Sequence, residues 1–199
     1  SVLLPQVQRF CKQITCTMTK RGYYPKGGGS VTLDVKPLLS LKNYDTFDTF
    51  LFDLRTKVKP FALREQGELM QIKGVSHAAQ ELAPRQVAER QADVARMMLQ
   101  GRCATDIQAE YQNTLSAGSG ITLWARFNLR DELHTILGAD VLGGLGKRSE
   151  DVGREAAEQL ISMIDARATV DGWMADQILP FMALAFGSVV APAISDHSR

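Results

Sequence analysis

Leu3, Leu4, Val7, Phe10 and Cys11 recur at helical spacing and predict a helix over 3–14. Ile14 to Met18 alternates with threonines and predicts a strand, and Gly27-Gly28-Gly29 marks a turn. Val31, Leu33 and Val35 alternate with polar residues and predict the second strand of the pair. Residues 42–61 carry no clean period and read as a long connection with a short helix near Phe47 to Leu54.

Leu69 to Val75 predicts a strand, and Pro84 opens a helix to Leu99 with Val87, Val94 and Met98 on its apolar face. Thr105 to Tyr111, Ile121 to Phe127 and Leu133 to Leu137 predict further strands. The four glycines of Gly138 to Gly146 predict a loop. Ser149 is a candidate N-cap for a helix to Ala166, with Val152, Ala156, Leu160 and Ile164 on one face. Asp171 can cap a last helix reaching Phe186, apolar nearly all round and therefore expected to be deeply buried. Val189 to Ile194 predicts a short final strand. Alternating strands and helices place the chain in the α/β (α+β) class.

Composition narrows the picture. With 199 residues, 45% apolar, the chain can bury one or two cores. The formal net charge of +1 gives no bulk signature of nucleic-acid binding, so any RNA contact must come from a local patch. Cys11, Cys16 and Cys103 form no CxxC pair, which argues against a cysteine zinc site and suits a reducing, cytoplasmic setting. The longest apolar stretch, Ile178 to Phe186, is too short for a membrane helix, so no membrane is expected among the partners.

Three places offer chemistry. Gly143-Gly144-Leu145-Gly146-Lys147-Arg148 fails as a phosphate loop, because Val141 and Arg148 stand where Gly and Ser or Thr are needed. Asp176 and Gln177 fall within the apolar last helix. A carboxylate there needs a partner, either a structural hydrogen bond or a ligand such as a ribose hydroxyl. Of His77, His134 and His197, His197 stands beside Asp196, an acid able to orient an imidazole. A neutral imidazole can attack phosphorus, although for a lone histidine a surface or structural role is the usual one.

The block Lys20-Arg21-Gly22-Tyr23-Tyr24-Pro25-Lys26-Gly27-Gly28-Gly29 resembles the signature of the RNA 3′-terminal phosphate cyclase family. Gly74-Val75-Ser76-His77-Ala78, Val87-Ala88-Glu89-Arg90-Gln91, Gly118-Ser119-Gly120-Ile121 and Gly138-Ala139-Asp140 resemble its inserted domain, in order. Val152 to Ala157 resembles the helix returning to the main domain, and Ala175-Asp176-Gln177-Ile178-Leu179-Pro180 the nucleotide-site helix.

The resemblance implies a large domain of repeated α/β units, helices packed on four-stranded sheets, over 1–64 and 145–199. A smaller inserted α/β domain is implied over 65–144. It further implies an ATP-dependent enzyme that converts RNA 3′-phosphate ends to 2′,3′-cyclic phosphates through a covalent histidine–AMP. His197 falls at the place of the catalytic histidine, and Trp173, Asp176 and Gln177 at positions that approach the adenosine. A divalent metal, Mg or Mn, is implied, but the family's acidic Gly-rich segment has no match here, so its ligands are not placed. Oligomeric state is not implied either way. Cyclase-like proteins of ribosome assembly share the fold and lack the histidine, and they form the second reading.

Overall fold

The computed structural model describes residues 2–128 and 135–192. The first helix, α1 (Leu3–Val7), gives way through one 3-10 turn to β1 (Cys11–Lys20), well before the predicted Ile14. β2 (Ser30–Pro37) returns antiparallel to β1. Gly27 and Gly28 in the connecting loop take φ of 64° and 79°, a left-handed conformation open to glycine at no steric cost. The predicted alternation of β2 is present, yet Val31, Leu33 and Val35 remain 61%, 57% and 47% exposed, because no described residue packs on that face.

Within the irregular stretch, α2 (Phe47–Lys57) is longer than expected, with Thr46 Oγ1 accepting from Thr49 N at its start. β3 (Phe61–Leu63) follows. Next come β4 (Glu68–Ala79), a 3-10 turn holding Pro84, α3 (Val87–Leu99), β5 (Ala104–Gln112), β6 (Ser119–Asn128) and β7 (Ile136–Leu142). They build one sheet in the order β5-β4-β6-β7, parallel between β4 and β5 and antiparallel elsewhere. The parallel pair needs a crossover, and α3 supplies it.

α4 (Ser149–Asp165) lies beside α3 on the same face of this sheet. Val152, Ala156, Leu160 and Ile164 enter one core with Ile72, Leu99, Ile107, Leu123 and Leu137. This helix, placed by sequence at the start of the second large-domain segment, packs on the four-stranded layer. Its partners are the apolar residues of α3, β6 and β7. Ser149 is the first helical residue rather than the cap, a place taken by Arg148 without a side-chain bond.

α5 (Gly172–Ala185) and β8 (Gly187–Val189) complete the described chain, with β8 parallel to β3. Met174 and Ile178 pack on Phe61, Leu63 and Val170. The helix is not buried all round: Trp173 is 68% exposed, and Leu179 and Gln177 also face out. No helix of the described residues is long and apolar enough to cross a membrane. Mixed strands and helices in sheets of two to four strands bear out the α/β class.

Candidate nucleotide site

Period-2 alternation gives the sheet two unlike faces. On β6, Ile121, Leu123, Ala125 and Phe127 are buried under α3 and α4, while Thr122, Trp124 and Arg126 point away from them. The segment from Gly138, predicted as loop, is instead part of β7. It pairs with β6 through Gly138↔Trp124 and Asp140↔Thr122. The glycines concealed a strand whose Leu137, Ala139 and Val141 are buried.

The N-terminus of α5 is tied to this strand by one carboxylate. Asp171, 3% exposed, accepts from Met174 N through Oδ1 at 2.7 Å and from Gly138 N through Oδ2 at 2.9 Å. The first bond is an N-cap, as predicted. The second joins the helix to the sheet and was not legible in sequence. Burial pushes the Asp171 pKa up, against the hydrogen bonds from Met174 and Gly138 that pull it down.

Trp173, Asp176 and Gln177 are spaced i, i+3 and i+4, so they share one face of α5, beside the buried stripe of Met174 and Ile178. Asp176 is half-buried and Gln177 exposed, so neither is the deeply buried polar group expected from sequence. Two clefts meet at Trp173. One, of about 320 Å3, is lined by Thr122, Trp124, Asp140, Trp173 and Gln177. The other, of about 660 Å3, runs between α4 and α5 and is lined by Gln159, Ser162, Met163, Trp173 and Asp176. The structure thus brings three of the four sequence-predicted site residues together. The fourth, His197, lies outside the described residues. Trp124 was missed, although a Trp on the polar side of an alternating strand was the available signal.

A second cluster joins the Lys20–Gly29 block to the sheet. Tyr23 Oη lies 2.7 Å from His77 Nδ1, Arg21 N donates to Gln112 Oε1 at 3.0 Å, and Lys26 N donates to Ser116 Oγ at 3.2 Å. Burial, helped by Arg21, lowers the His77 pKa to about 4. Among the described residues, no group of three or more His, Cys, Asp or Glu side chains is placed to hold a metal.

Residues 64–165 match the family model of the RNA 3′-terminal phosphate cyclase insert domain. The match begins just after β3 and ends with α4, the helix that packs on the four-stranded sheet. Curated relatives named RNA 3′-terminal phosphate cyclase align along most of the chain. The protein from Staphylothermus marinus is 36% identical over 197 residues, covering 96% of this chain and 49% of its own length. That from Caldivirga maquilingensis is 40% identical over 180 residues, covering 87% and 44%. The Ignicoccus hospitalis protein is 35% identical over 206 residues, covering 99% and 52%. The chain belongs to the RNA 3′-terminal phosphate cyclase family. It spans about half the length of the curated relatives it matches.

Proposed function

We propose that this chain acts in the ATP-dependent cyclisation of RNA 3′-phosphate ends in the cytoplasm, with ATP bound at the N-terminal turns of α5. The observation that carries this reading is the single face formed by Trp173, Asp176 and Gln177 at the meeting of two clefts. An indole offers a π face for adenine to stack on. A carboxylate accepts from a ribose hydroxyl, and a primary amide both donates and accepts, which suits a base edge.

His197 is the nucleophile in this reading. Its imidazole nitrogen attacks the α-phosphorus of ATP, a P–N bond forms and pyrophosphate leaves. An oxygen of the RNA 3′-phosphate then attacks the AMP phosphorus and the P–N bond breaks. The vicinal 2′-hydroxyl attacks the RNA 3′-phosphorus, the cyclic ester closes and AMP departs. Each step is an in-line displacement in which positioning and charge neutralisation dominate. A divalent metal, Mg or Mn, would supply part of that neutralisation. The described residues hold no group of three or more His, Cys, Asp or Glu that would bind it.

The same reading divides the chain between two domains. Residues up to 64, with α5 and β8, belong to the large domain, and the four-stranded layer is the insert. Because α4 packs on that layer, the insert's far edge moves from 144 to 165.

The test is conversion of a 3′-phosphorylated oligoribonucleotide to a phosphatase-resistant end. Conversion should require ATP and should fall at least ten-fold in Trp173→Ala, the loss expected when one base-stacking contact is removed. ATP-independent conversion, or undiminished conversion in that variant, would remove α5 from the site.

A further inference from the structure

We propose that the Lys20–Lys26 loop is a docking surface for single-stranded RNA, with Tyr24 stacking on a base and Lys20 and Lys26 meeting phosphates. This rests on the cyclase reading and adds to it where the strand leading to the 3′ end is held.

Tyr24 is 92% exposed, although its neighbour Tyr23 is anchored. Loops that hold an aromatic ring in water are normally soft; this one is pinned. Tyr23 bonds His77 and stacks on its ring at 5.9 Å, and the backbones of Arg21 and Lys26 are held by Gln112 and Ser116. Gly27 N donates to Tyr23 O at 2.8 Å and closes the loop on itself. A Cβ at Gly118 would lie 2.2 Å from the Tyr23 ring, so the loop seats on bare backbone. A rigid aromatic presented in this way loses little freedom on binding.

The electrostatics fit a polyanion. Lys20 and Lys26 are exposed and make no ion pair with any described residue. Arg21, by contrast, is paired with Glu110 at 3.7 Å. An exposed aromatic between unpaired cations is the arrangement that holds single strands, because every base has a π face and every nucleotide a phosphate.

The placement fits the reaction. His77 stands opposite Gly120 on β6, and two residues further along the same face is Thr122, at the edge of the Trp124–Trp173 cleft. At the rise of a strand that is about 7 Å. An RNA whose 3′ end lies in the cleft can reach the loop within a few nucleotides.

Binding of a labelled single-stranded oligoribonucleotide ending in a 3′-phosphate, followed by anisotropy, tests the proposal. Tyr24→Ala should weaken binding roughly ten-fold and Tyr24→Trp should restore it. Lys20→Gln with Lys26→Gln should reduce the salt slope of binding by about 1.4. AMP attachment, measured in the same variants, should be unchanged. Wild-type RNA affinity in Tyr24→Ala would overturn the proposal while leaving the cyclase reading intact. So would a lowered stability of Tyr24→Ala with unchanged RNA affinity, which would assign the ring to a protein contact. Failure of AMP attachment in the wild type would sink the cyclase reading, and the RNA comparison would still decide the role of Tyr24.

Discussion

The hydroxyl of Tyr23 lies 2.7 Å from Nδ1 of His77, and the two rings stack with centroids 5.9 Å apart. One residue belongs to the Gly-rich signature block, the other to β4, one of the two inner strands of the four-stranded sheet. The imidazole is neutral, so Nδ1 either accepts from the phenol or donates to its oxygen, as the tautomer dictates. This contact fixes the loop against the open face of the sheet, beside the cleft at Trp173.

Tyr23→Phe keeps the ring stack and removes the hydroxyl, leaving Nδ1 of the buried imidazole unpaired. The expected loss is about 1–2 kcal/mol. Denaturant unfolding should show it as a lower midpoint at unchanged m-value.

His77 also makes stability depend on pH. Folded, it stays neutral down to about pH 4; unfolded, it takes up a proton near its ordinary 6.5. Between these values the unfolded chain binds the extra proton. Stability from this group is therefore full above pH 6.5 and is lost as pH falls towards 4. His77→Asn should flatten that part of a melting-temperature profile.

Asp171→Ala removes an N-cap and the tie from α5 to β7 together. The expected cost is about 2–4 kcal/mol. Asp171→Asn retains the cap to Met174 but turns a donor towards Gly138 N. Intrinsic fluorescence should report the changed surroundings of Trp173 in both variants, with weaker ATP binding.

Gly153 sits where α4 crosses α3. A Cβ there would lie 2.1 Å from Gln91 O, a backbone atom with little freedom to move. Gln91 is itself fixed, accepting from Ser76 Oγ and donating to Ser119 Oγ in the buried core. Gly153→Ala should destabilise by about 1–3 kcal/mol despite its high helix propensity, with a lowered melting temperature as the readout.

Much of this was legible in the chain, because strong periods survive folding. The alternation of Ile121 to Phe127, the stripe Val152–Ile164 and the cap at Asp171 all appear as read. Failures came where one residue type serves two ends. Gly138 looked like punctuation, yet it is a strand residue whose N–H donates to Asp171. The apolar sequence of α5 suggested burial on all sides, but only Met174, Ile178 and Ala185 are buried. Its i, i+3, i+4 trio of Trp173, Asp176 and Gln177 was in view. The clefts on either side were not, because Trp124 and Asp140 come from strands some thirty to fifty residues away. The Tyr23–His77 bond spans 54 residues, and no local pattern announces it.

The most direct measurement is the intact mass of the protein after incubation with ATP and magnesium, kept free of acid because a histidine–phosphorus bond is acid-labile. A gain of one AMP is expected in the wild type and none in His197→Ala. An equal gain in His197→Ala, or no gain in folded protein that binds ATP, would contradict it and favour the non-catalytic relatives.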